Sequence, residues 1–117
     1  AGESDKIVRI LNQGAVPGVK GAFIANAQSR VVLVEFAEPV AQQVLALADK
    51  KGCAPWPVGA ESRYEVTAMF YRISGTFRAI NPELEANMIR INPMRSGAET
   101  VVRILREIMA EINGGEV

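Results

Sequence analysis

The sequence predicts a two-layer α+β domain in which three amphipathic helices cover a mixed or mainly antiparallel sheet of about four to five strands. Apolar residues recur at helical spacing near both ends and in the middle of the chain. The run Val31-Val32-Leu33-Val34 is unbroken by polar residues, as expected of a strand covered on both faces. Strand-like segments come in neighbouring pairs, which gives the order α-β-β-α-β-β-α and hairpin-like pairing.

The first helix is expected to start at Ser4 or Asp5 and run to about Gln13, with Ile7, Val8, Ile10 and Leu11 inward and Gly14 stopping it. Pro17-Gly18 reads as a turn. Val19 to Asn26 reads as a strand, Ala27-Gln28-Ser29 as a hairpin connection, and Val31–Val34 as the centre of the sheet. A second helix follows with Pro39 in its first turn and Val40, Val44, Leu47 and Ala48 as its stripe. Lys50, Lys51 and Gly52 close it.

Cys53 to Ala60 contains Pro55 and Pro57 and is therefore no central strand. From about Tyr64 to Ile80 the alternation is strand-like, with a bend near Ser74-Gly75. Met88 to Asn92 reads as a short strand. The last helix carries a capping box, Ser96-x-x-Glu99, ahead of Val101, Val102, Ile104, Leu105, Ile108, Met109 and Ile112. Residues 1–117 read as one domain, with 74–94 as an extended arm or loop.

A chain of 117 residues is long enough to bury roughly two-thirds of its unfolded surface without a disulfide or metal. Its apolar fraction of 49% excludes a wholly disordered chain. Net charge is zero, which argues against nucleic acid as a main partner, because phosphate binding needs a basic excess. Cys53 is the only cysteine, so no intrachain disulfide forms. No apolar run is long enough for a membrane span and no signal-peptide pattern opens the chain, so cytoplasm is the default. Histidine is absent, which removes His-based acid–base chemistry, Ser–His and Cys–His nucleophiles, and His-ligated metals. The reading assigns no catalytic residue, no metal site and no cofactor.

Four groups of residues stand out. Arg95, Ser96 and Gly97 lie at a helix start, where free N–H groups and the dipole favour an anion, although Ser96 and Glu99 compete for the same donors. Arginines outnumber lysines by nine to four, and Arg72, Phe77, Arg78 and Arg90 suggest a surface that meets a partner, since guanidinium is over-represented in interfaces. Cys53 beside Trp56 lacks a second cysteine or a histidine to activate it and reads as an inert thiol under a loop plug. Glu83 and Glu85 could share a face as a weak metal or acid–base pair, but nothing completes a shell.

These features favour a non-enzymatic, homo-oligomeric assembly or protein-interaction module, for instance in a virion or secretion assembly, with itself or another protein as partner. The alternative is a small enzyme or binding domain for a phosphate- or carboxylate-bearing metabolite held at Arg95 and Ser96. A third reading is a nucleic-acid-binding sheet built on Arg72, Phe77 and Arg78.

Overall fold

A computed structural model describes residues 2–24, 31–53, 55–57, 86–94 and 96–114. Helix α1 spans Glu3–Asn12, strands β1 and β2 span Val19–Ile24 and Val32–Phe36, and helix α2 spans Ala41–Lys50. Strands β3 and β4 span Trp56–Pro57 and Met88–Ile91, and helix α3 spans Ala98–Ile112. The order is α-β-β-α-β-β-α when the two-residue β3 is counted. The fold class is the two-layer α+β arrangement that the sequence predicts. Its described sheet, three full strands and one short one, is at the low end of the predicted count. The strand expected from Tyr64 to Ile80 and the hairpin connection at Ala27–Ser29 lie outside the described residues.

The sheet runs β1-β2-β4-β3, and every described pair is antiparallel. β2 sits inside it, as its β-branched run requires. β4 is the other inner strand, so the described part of the stretch considered as an arm includes a strand paired on both sides, with Met88, Ile89 and Ile91 buried. β3 is short and stands at the end of the described sheet, where Pro57, which cannot donate to a ladder, is tolerated.

Alternation along the strands sorts the side chains. Ala22 of β1, Val32, Val34 and Phe36 of β2, and Ile89 and Ile91 of β4 belong to one continuous core with the helices. Ile7 and Leu11 of α1, Val44 and Ala48 of α2, and Val101, Leu105 and Ile108 of α3 fill the other side of that core. α1 packs on β1 and α3, and α2 packs on α3, β3 and β4. Each aliphatic side chain buried this way contributes about 1.5–3 kcal/mol relative to exposure.

Helix starts differ from the expected ones by a residue or two, for a common reason. No described helix has a side-chain cap: Gly2, Val40 and Gly97 occupy the cap positions. Ser4 falls inside α1 on the buried stripe, so it does not cap the helix. Pro39 precedes the cap of α2 and does not sit in its first turn. The capping box at Ser96 does not form either. α3 starts one residue too late for it, and the Glu99 carboxylate instead accepts a hydrogen bond from Lys6 Nζ at 2.8 Å. Tertiary contacts set these ends, while the apolar stripes set the helices themselves.

Ile108 is fully buried at the middle of α3. Ile108→Ala is expected to lower stability by about 2–5 kcal/mol, the range for emptying such a core position, measured as a reduced urea midpoint with unchanged slope.

Candidate functional site

The sheet has a second face, and it differs in kind from the core face. Leu33 and Met88 are buried, at 0% and 1% exposure, yet they stand outside the helix-lined core because their strand neighbours point the other way. The register places Phe23 opposite Leu33, Leu33 opposite Arg90, and Arg90 opposite Trp56. One step along, Gly21 is opposite Glu35 and Glu35 opposite Met88. Arg90 and Glu35 are therefore diagonal neighbours on the face that the helices leave uncovered, a separation of about 7–8 Å between backbones.

These are the two charged residues within the inner strands β2 and β4. The Glu35 side chain is 17% exposed, and Lys20 Nζ lies 3.6 Å from its Oε2. Arg90 is half-buried, its Nε is shut off from solvent, and an interaction within the chain holds it. A charge placed mid-strand among Phe23, Leu33 and Met88 costs desolvation, which a helix-covered layer would not tolerate without compensation. The face away from the helices is thus apolar with a few fixed charges, and its Leu33 and Met88 are already shielded from solvent within the chain.

Arg90 was among the residues expected at an interface, and the structure puts it in this face. Arg72, Phe77 and Arg78 lie outside the described residues, as do Glu83 and Glu85. Glu35 escaped the sequence reading. Its signal was present, since Val32-Leu33-Val34-Glu35-Phe36 holds one charge in an otherwise apolar strand, as Met88-Ile89-Arg90-Ile91 does.

The α3 start is a separate place. Ser96 is half-buried there and Gly97 takes φ +87°, a left-handed conformation that suits glycine. A Cβ at Gly97 would stand 3.3 Å from Glu3 Oε1, so a carboxylate of α1 is already close to this helix end. Glu99 adds a second carboxylate in the first turn. Arg95 lies outside the described residues. The positive end of α3 therefore faces two acidic side chains.

Cys53 is buried, and burial pushes its thiol pKa up, away from the thiolate that reactivity requires. Among the described residues no group of Asp, Glu or Cys is placed to hold a metal ion. No described helix is long and apolar enough to cross a membrane.

The comparisons with known proteins bear on this architecture directly. Residues 5–105 match the family described as "YhfS-like, C-terminal domain". The chain belongs to that family. It is 60% identical over 112 residues to protein YhfS of Escherichia coli (strain K12), a match covering 96% of this chain and 31% of that protein. A solved structure described as the crystal structure of the pyridoxal-5'-phosphate-dependent protein YhfS from Escherichia coli superposes with a TM-score of 0.66 at 48% identity. It covers 93% of this chain and 30% of that one. The YhfS-like domain thus spans about a third of the length of the relatives it matches. These matches overturn the reading of the chain as a non-enzymatic structural module of the virion or secretion type. The relative is a cofactor-dependent protein, and the shared family is a domain of it.

The helix layer carries the titration behaviour. A hydrogen bond from Lys6, with its charge, holds the Glu99 carboxyl below the usual glutamate range. Arg103, hydrogen-bonded to Glu107 Oε2 at 2.9 Å, does the same to Glu107, helped by Lys51. Hydrogen bonds and charge from Glu99, and from Glu111 with Glu107, raise Lys6 and Lys51 respectively. The carboxylates' contribution is complete above the ordinary value of 4.5 and is lost as pH falls through their lowered pKa. The lysines' contribution is complete below 10.5 and is lost as pH rises through their raised one. The energies are small because the groups face solvent. In Lys6→Met, an NMR titration of the Glu99 side-chain carboxyl is expected to show its midpoint moving up toward the ordinary glutamate value.

Proposed function

We propose that this chain is the C-terminal domain of a pyridoxal-5'-phosphate-dependent enzyme, and that it supports the cofactor-bearing part of the protein without anchoring the cofactor itself. The observation that carries the reading is the 48% identity, over nearly the whole chain, to part of a solved protein described as dependent on that cofactor.

The residues present do not fit the cofactor's covalent anchor. Pyridoxal phosphate is held through a lysine Schiff base, with a partner on the ring nitrogen. Such a lysine must supply a neutral amine, which enzymes obtain by desolvation or by a neighbouring cation. The chain has four lysines, and all are described. Lys6 is bonded to Glu99, and Lys51 lies 3.5 Å from Glu107 and 3.2 Å from Glu111, so carboxylates keep both protonated. Lys20 is 67% exposed beside Glu35, and Lys50 is exposed in the last turn of α2. None has the surroundings the chemistry demands. On this reading the anchor belongs to sequence of the kind found in the relatives beyond the matched third.

What the domain offers is the sheet face turned away from the helices, on which Arg90 and Glu35 stay partly exposed. Leu33 and Met88 are already buried within the chain, so the contact rests on the partly exposed Phe23 and on Arg90 and Glu35, whose charges set its register against the rest of the enzyme. The helix layer, with Arg103, Arg106, Glu107 and Glu111 exposed, suits solvent. A cytoplasmic setting fits the same reading, since the fold relies on no disulfide and its one thiol is buried.

In the full-length protein, replacing Lys6, Lys20, Lys50 or Lys51 singly by Ala is expected to leave pyridoxal phosphate content unchanged after dialysis, measured by release in alkali. Loss of the cofactor in any one variant would place the anchor in this domain and overturn the assignment. Arg90→Ala is expected to retain a folded helix layer by circular dichroism while increasing protease cleavage between this domain and the remainder. Cleavage at the unaltered rate would remove Arg90 from the contact.

A further inference from the structure

β1 is the outermost described strand on its side of the sheet, and an outermost strand presents unpaired N–H and C=O groups to any strand that approaches. Partners of residues in an antiparallel pair alternate between exchanging both backbone bonds and pointing outward. Ala22, in the middle of β1 and opposite Val34, points outward: both its groups bond to the side chain of Asn12. Asn12 Nδ2 donates to the Ala22 carbonyl at 3.1 Å, and the Ala22 N–H donates to Asn12 Oδ1 at 2.9 Å. A carboxamide carries one acceptor and a donor pair in the same spacing as a backbone amide, so it can satisfy both groups at once.

The fit depends on the residue beside it. A Cβ at Gly21 would stand 3.1 Å from Asn12 Oδ1, closer than side chains normally approach, so a glycine there lets the amide reach the strand. Asn12 itself is the last residue of α1, where the helix ends over the strand edge. Asn12 remains solvent-exposed overall.

We propose that Asn12 is an edge lock: its carboxamide takes the place of a neighbouring strand at the centre of β1 and keeps that edge from pairing with β1 of a second copy of this chain. β1 is only six residues long, so occupying its middle leaves no uninterrupted row of outward groups for a ladder. Partners then meet this domain through its faces and not by adding a strand to β1. This inference is independent of the cofactor reading, since it concerns the opposite end of the chain's chemistry, backbone pairing.

Two measurements on the full-length protein test it. In the unmodified protein, hydrogen exchange at the Ala22 amide is expected to be as slow as at inner-strand amides of β2, although β1 is the outermost described strand on its side. Exchange at the rate of an open edge would overturn the lock. In Asn12→Ala, that exchange is expected to accelerate at least about tenfold, and sedimentation velocity is expected to show new concentration-dependent association. A folded Asn12→Ala variant with the exchange and association of the unmodified protein would overturn the proposal. The exchange measurement on the unmodified protein decides the matter if the variant does not fold.

Discussion

Everything in this domain hangs on one apolar layer, in which Val32, Val34, Ile89 and Ile91 on a sheet face meet Ile7, Leu11, Val44, Leu105 and Ile108 on three helices. Only one face of the sheet can be closed by that layer. The helices therefore keep their charges outward, and the residues that alternate with the core, Leu33, Glu35, Met88 and Arg90, are committed to the other face. The two sides of the same strands thus have different duties because the strand period is two. A shift of one residue in the β2–β4 register would send Arg90 and Glu35 into the helix layer and unfold it.

The architecture was readable where burial dictates pattern. The α3 stripe from Val101 to Ile108 and the run ending at Val34 each demand one structure, because no other arrangement hides them. Ends were less readable. A Ser-x-x-Glu pattern fits a cap in isolation, but Lys6, far away in sequence, offers Glu99 a charged partner and wins it. Asn12 likewise looks like an ordinary exposed helical residue until the chain path brings Ala22 beside it. Local chemistry predicts local structure, and such contacts between distant segments are invisible to it.

Function was the least readable layer. The lack of histidine and of a catalytic constellation pointed toward assembly, and the inference was sound for 117 residues taken alone. It failed because the chain matches one domain of a longer, cofactor-dependent relative, and a single domain need not display the chemistry of the whole. The informative features were quieter: lone charges in apolar strands, and lysines each tied to a carboxylate or left in water. Under the proposed function, those patterns are what favours a supporting domain over a cofactor site.

Cys53 sits between α2 and β3, under the corner where the chain leaves the helix layer for the sheet. Its sulfur is sealed and its proton firmly held, so a soluble alkylating reagent reaches it only during moments when that corner lifts. The chain thus contains a native clock: the modification rate of its one thiol counts how often the α2–β3 junction breathes, with no cysteine introduced.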